Sequence, residues 1–74
     1  MNTNYSIVIQ WSKADNYFVA MLPEWGKQYL AYGNSYEEAL VNARKKIDLL
    51  IKLSLSEGKI LPEPIFFKIP SVIK

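Results

Sequence analysis

The sequence predicts an α+β domain with the element order β-β-β-α-β, in which an antiparallel sheet packs against one long helix. A segment of alternating polarity at residues 5–11 is followed by a turn and a second strand-length segment at residues 17–22, as in a β-hairpin. A capping sequence at Ser35 and Glu38 precedes apolar side chains at helical spacing. Prolines at positions 62 and 64 then require extended backbone before a last strand. At 74 residues, the chain has the length of one domain, residues 1–74.

The first two strands are expected to form an antiparallel hairpin. In residues 5–11 the odd-numbered side chains are apolar and share one face, whereas the even-numbered face is more polar. Residues 12–16 predict the turn, which Asp15 and Asn16 can close through side-chain bonds to the backbone. Residues 17–22 then supply the second arm of the hairpin.

A third strand is expected over residues 28–32. The loop at residues 23–26 (PEWG) separates it from the hairpin, and Gly33 with Asn34 ends it. The three strands form a meander whose apolar face one helix can cover.

The helix has both of its ends marked in the sequence. The Ser35 hydroxyl is expected to accept a hydrogen bond from the backbone amide of Glu38. In return, the Glu38 carboxylate is expected to accept one from the backbone amide of Ser35. The helix should end near Glu57, with Gly58 as the residue after its C-cap. Apolar side chains between these ends recur at spacings of three, four and seven and so share one face; they are Tyr36, Leu40, Ala43, Ile47, Leu50 and Ile51.

The last predicted strand covers residues 65–69, and Pro70 marks its end or restricts it to a sheet edge. Residues 61–64 are extended and lead into it. Because this strand returns from the helix by a crossover, we expect it at an edge of the sheet, where another chain can also pair with it.

The composition excludes several classes of function. The chain has no cysteine and no histidine, which removes disulfides, thiolate nucleophiles and the commonest general base and metal ligand. Its net charge of +2 is too small to indicate nucleic-acid binding by itself. Residues 1–6 lack the basic segment of a signal peptide, and no apolar run approaches the ~20 residues of a membrane span. We therefore expect a cytoplasmic protein with no membrane association.

The acidic residues are spread over the predicted turns and the outer side of the helix. A carboxylate pair for acid–base chemistry is therefore not expected. The sequence predicts a binding domain rather than an enzyme, with no cofactor and no metal. Because 50% of the residues are hydrophobic in so small a domain, we expect a homo-oligomer or a partner protein to cover part of the surface.

Three apolar residues lie outside the predicted core and are candidates for partner binding. Leu49 and Leu53 are one helical turn apart and lie off the main apolar stripe. Either the C-terminal segment, a second copy of the chain or a foreign partner covers them. Trp25 stands in the polar loop, where an indole either plugs the space under the loop or anchors an interface.

The basic residues of the helix suggest an alternative, a nucleic-acid surface made by Arg44, Lys45, Lys46 and Lys52. Three consecutive side chains spread over most of a helix's circumference, so they form one patch only if Lys52 joins them. The simpler interpretation is the solvated face of an amphipathic helix.

Several motifs, in this order, resemble those of the HicB-like antitoxins. They are the hairpin followed by LPEWG at residues 22–26, the helix start SYEEALVNAR at residues 35–44 and the exit EGKILPEP at residues 57–64. The resemblance extends over residues 5–69. It implies a partial RNase H-like fold and an antitoxin that covers the active surface of a HicA-type toxin, a small protein that cleaves mRNA.

The sequence departs from that family at its end and at its strands. The chain stops at Lys74, which leaves no room for the DNA-binding domain that members often carry, so direct operator binding is not expected. The strand positions for RNase H carboxylates hold Ile7, Ile9, Val19 and Met21, so nuclease activity is not expected either. The alternatives are a solitary HicB-like oligomer without a toxin, a nucleic-acid-binding module and a degraded nuclease with residual metal-dependent activity.

Overall fold

The computed structural model describes residues 4–65, which form a three-stranded antiparallel sheet and one helix. The order in the sheet is β1-β2-β3, so β2 is the central strand. The α+β class and the hairpin are confirmed. The predicted last strand lies outside the described residues except for Ile65, which is not in a strand. The elements are β1 (Val8–Ser12), β2 (Tyr17–Met21), β3 (Leu30–Gly33) and α1 (Tyr36–Ser56).

β1 begins three residues later than predicted because the residues before it bond outside the sheet. The hydroxyl of Tyr5 donates to the carbonyl of Pro62 at 2.7 Å. The amide of Ser6 donates to the carboxylate of Glu24 at 3.0 Å. The chain therefore enters the sheet only at Val8.

The N-terminus of α1 carries the predicted cap. Ser35 is extended, and its hydroxyl accepts a hydrogen bond from the Glu38 amide at 3.0 Å. The reciprocal bond was predicted one residue off, because the Glu38 carboxylate accepts from the amide of Asn34 rather than from that of Ser35. The bond from the Glu38 amide satisfies a donor that the helix itself leaves unpaired.

The C-terminus of α1 ends in a Schellman motif. Gly58 has a φ of 72°, in the left-handed region that glycine adopts without strain. Its amide donates to the carbonyl of Leu55 at 3.2 Å, and the amide of Lys59 donates to that of Ser54 at 2.8 Å. The helix therefore stops at Ser56, with Glu57 as its C-cap, as predicted.

The core lies between α1 and one face of the sheet, and much of it is built from small residues. A side chain at Gly33 would place its Cβ 2.7 Å from the carbonyl carbon of Glu38 and 2.8 Å from the Cα of Ala39. The first turn of α1 therefore lies directly on the end of β3. Tyr36 was predicted on the buried stripe, but it is 59% exposed. Its ring packs against that of Phe18, with the centroids 4.4 Å apart. The buried core residues are Ala20, Leu22, Ala31, Ala39, Ala43, Ile47 and Ile51.

Side chains of α1 cap the outer edge of β3. The amide nitrogen Nδ2 of Asn42 donates to the carbonyl of Tyr32 at 2.6 Å, and Nζ of Lys46 donates to that of Leu30 at 2.9 Å. These are carbonyls that an added strand would need. The edge of β3 therefore has fewer free carbonyls with which another chain could pair.

Asn42→Ala is expected to destabilise the domain by about 1 kcal/mol, since it leaves the Tyr32 carbonyl without its donor. Urea unfolding followed by circular dichroism measures the change. Lys45→Ala is the matched control, because Lys45 is exposed on the same helix and makes no hydrogen bond within residues 4–65; it should change stability by less than about 0.5 kcal/mol. Equal effects of the two substitutions would contradict the capping role.

The second face of the sheet is covered by no element within residues 4–65, and we call it the open face. Cross-strand pairing arranges it in three rows. The row at the start of β1 is apolar, the middle row contains Gln10, and the row at the hairpin turn contains Ser12. Its members are Val8, Met21 and Leu30, then Gln10, Val19 and Tyr32, then Ser12 and Tyr17.

Candidate protein-binding surface

A groove lies between the second half of α1, the loop after β2 and the chain that follows the helix. Its volume is about 380 Å³, and we call it the helix-end groove. Its walls combine aromatic and aliphatic side chains with a few charged groups at the rim. The residues that define it are Trp25, Tyr29, Leu50, Leu53, Ile60 and Glu57.

Leu49 and Leu53 form an apolar lip beside this groove. Leu53 lines the groove, and Leu49 precedes it by one helical turn. Their exposed fractions are 55% and 46%, so the chain up to residue 65 leaves both uncovered. Their exposure agrees with their predicted position off the apolar stripe.

Trp25 fills the space under its loop. The amides of Trp25 and Gly26 both donate to the carbonyl of Leu22, at 3.0 and 3.3 Å, which folds the loop over the indole. The ring packs against the core and meets Tyr5 edge-on, with centroids 5.4 Å apart. Of the two roles considered for Trp25, the plug is the one that this packing favours. Its Nε1 is buried and has no acceptor among the described residues.

The carboxylate of Glu24 ties three separate segments together beside the groove. It accepts hydrogen bonds from the amide of Ser6 at 3.0 Å, from the Ser6 hydroxyl at 3.0 Å and from the amide of Ile65 at 2.9 Å. Burial raises the pKa of this carboxyl, but the bonds from Ile65 and Ser6 outweigh burial and hold the pKa below its ordinary value of 4.5. We call this arrangement the Glu24 clasp; it fixes the segments at Ser6 and Ile65 against the Trp25 loop.

Acidic side chains do not gather into a metal site in the described part of the chain, where no three of them come together. Residues 4–65 also contain no helix that is long and apolar enough to cross a membrane.

No family model, curated protein or solved structure matches the chain. The assignment of a function therefore depends on these surfaces and on the sequence motifs.

The four basic residues considered for nucleic-acid binding are not brought together. Lys46 is bonded to the Leu30 carbonyl on the β3 side of the helix. Arg44 lies on the β1 side, in a cleft that it shares with Asp48, Tyr5 and Ile7. Only Lys45 and Lys52, seven residues apart, share the outer side of α1. The structure therefore offers two free ammonium groups there rather than a basic patch of four residues.

Proposed function

We propose that this chain is a HicB-like antitoxin domain with a partial RNase H-like fold, which neutralises a small mRNA-cleaving toxin of the HicA type by covering its active surface. The observation that carries the proposal is the exposed pair Leu49 and Leu53 on the lip of the helix-end groove. The order β1, β2, β3, α1 supports it, because it equals the first four elements that the resemblance implies.

The proposed mechanism is steric cover driven by apolar burial. Transferring an exposed leucine side chain into an interface contributes about 1.5–3 kcal/mol. The groove beside the two leucines, about 380 Å³ in volume, can receive a large side chain of the toxin. The ion pair at its rim, Lys59 with Glu57 at 3.1 Å, is exposed on both sides and contributes less than about 1 kcal/mol. Affinity therefore comes mainly from Leu49, Leu53 and the groove.

Capture of the toxin by the tagged chain from its native host is the first test. We expect a small basic protein at equal stoichiometry, identified by mass spectrometry. Once purified, that protein should cleave mRNA, and addition of the chain should stop the cleavage. Recovery of the chain alone would remove the antitoxin function and favour the solitary oligomer.

The double substitution Leu49→Ala and Leu53→Ala is expected to weaken binding of that toxin about 30-fold, which corresponds to about 2 kcal/mol. Isothermal titration calorimetry measures the loss. Leu55→Ala is the matched control, because Leu55 is 56% exposed on the same helix. It projects about 160° around the axis from Leu53 and should leave affinity unchanged. A loss at Leu55 equal to that of the pair would show that the lip is not the contact.

A further inference from the structure

We propose that the open face of the sheet binds the open face of a second copy of this chain. The product is a two-fold symmetric sandwich of two sheets, with a copy of α1 on each outer side. This surface lies on the opposite side of the sheet from α1 and its helix-end groove. The inference is therefore independent of the proposed antitoxin function.

The chemistry of the open face favours a copy of itself over a charged partner. Its eight side chains include no Asp, Glu, Lys or Arg. A partner recognised through charge finds no complementary group there, whereas two copies meet without repulsion between like charges. Val8 and Tyr32 are 39% and 46% exposed on this face, so apolar surface is available for burial.

The shape of the open face is self-complementary. Its apolar end is a hollow of about 700 Å³ lined by Val8, Met21 and Leu30, with Pro23 and Lys27 at the margin. Tyr17, in the row at the hairpin turn, packs edge-to-face on Tyr32 of the middle row, with ring centroids 5.0 Å apart. The hollow and the Tyr17 ring therefore lie on opposite sides of the middle row.

A two-fold axis running across the strands at the middle row uses this asymmetry. The rotation reverses the strand direction, so Tyr17 of one copy stands over Met21 of the second copy. Gln10 then faces Gln10 and Tyr32 faces Tyr32, because both residues lie on the axis row with Val19. An interface in which the same patch serves both subunits is the ordinary form of a symmetric dimer.

Strand addition is a less favourable route to association at the edge of β3. The carbonyls of Leu30 and Tyr32 there are already bonded to Lys46 and Asn42. Face-to-face packing needs no free backbone groups, since two sheets stack about 10 Å apart through side chains alone.

The size of the open face sets the strength of the association. Three strands of about five residues cover roughly 240 Å² in projection. A stable interface buries about 800 Å² per partner. We therefore expect a dimer that forms with rising concentration rather than an obligate one, with a Kd on the order of 100 µM.

Sedimentation velocity of the full chain, from ~5 to ~500 µM, tests the proposal. The mass should rise from 8.5 kDa towards twice that value. Val8→Lys should raise the dimer dissociation constant at least ten-fold. The matched control is Val41→Lys, since Val41 is 48% exposed on the helix and Val8 is 39% exposed on the open face; it should change the constant less than two-fold. A monomer throughout, or equal effects of the two lysines, overturns the proposal.

Two variants of opposite charge at Gln10 test the proposed two-fold axis. Mixing them also shows whether each variant is folded. Gln10 is exposed, so both Gln10→Lys and Gln10→Glu should retain the circular dichroism of the parent. Each alone should dimerise at least ten-fold more weakly, because like charges meet at the axis. An equimolar mixture should recover the dimer as a mixed pair. If mixing recovers no dimer although both variants are folded, the proposed axis is wrong.

Discussion

Alanine in place of Gly33 is expected to destabilise this domain by at least about 3 kcal/mol, a large part of the stability of so small a chain. The added Cβ would lie 2.7 Å from the carbonyl carbon of Glu38 and 2.8 Å from the Cα of Ala39. Both are backbone atoms in the first turn of α1, so neither can move aside by a change of rotamer. The helix would have to lift from β3 and uncover Ala39 and Ala31, which are buried.

Gly58→Ala is the control that separates packing from backbone conformation. Gly58 has a φ of 72° and no atom within 4 Å of an added Cβ. Alanine there meets only the strain of the left-handed region, about 1 kcal/mol. Urea unfolding should therefore rank Gly33→Ala well above Gly58→Ala in cost. The opposite ranking would mean that α1 does not lie as close to β3 as described.

The parts of the fold that the sequence predicts best are those determined by local contacts. α1 begins and ends where expected because Ser35 bonds to an amide three residues away and Gly58 bonds within the last turn. The start of β1 was predicted less well. Tyr5 and Ser6 continue the alternation of a strand, but they bond to Pro62 and Glu24, which lie 57 and 18 residues away along the chain. Alternation alone carries no information about such partners.

The character of the open face also depends on tertiary structure. In the first strand the sequence places Ser6, Val8 and Gln10 on this face and therefore indicates a more polar side. The register then places Val19, Met21 and Leu30 on the same face, from β2 and β3. Its apolar character becomes visible only when the three strands are aligned.

The candidate site was predictable to the extent that it lies on the helix. Leu49 and Leu53 depart from the apolar stripe by their spacing, and they are exposed. Trp25 was not predictable in the same way, because its packing depends on Tyr5 and on the turn that Leu22 closes. Glu24 gave no signal at all, since an acid in a polar loop is ordinary until the segments it joins are known.

Removal of the Glu24 carboxylate is the second change with a large expected effect. Glu24→Ala leaves the amides of Ser6 and Ile65 without their acceptor. Hydrogen bonds to a charged group contribute about 1.5–3 kcal/mol each. Because the group is partly exposed, we expect a total loss near 3 kcal/mol. Urea unfolding at neutral pH measures it. Glu63→Ala, at an exposed carboxylate with no hydrogen bond in the described part of the chain, is the control and should stay within about 0.5 kcal/mol.

The pH dependence of stability tests the same clasp without disrupting the loop. Folding holds the pKa of Glu24 below 4.5, so its stabilisation is complete above that pH and is lost as the pH falls through the lower, folded value. The parent chain should therefore lose stability on acidification below about pH 4.5. Glu24→Gln, which keeps one acceptor oxygen but does not ionise, should lose less over the same range, and Glu63→Gln should follow the parent. Should Glu24→Gln instead keep the full acid sensitivity of the parent, the clasp is not the group that titrates. Because the clasp holds the Trp25 loop that forms one wall of the helix-end groove, acidification should weaken binding of the proposed toxin in the same pH range.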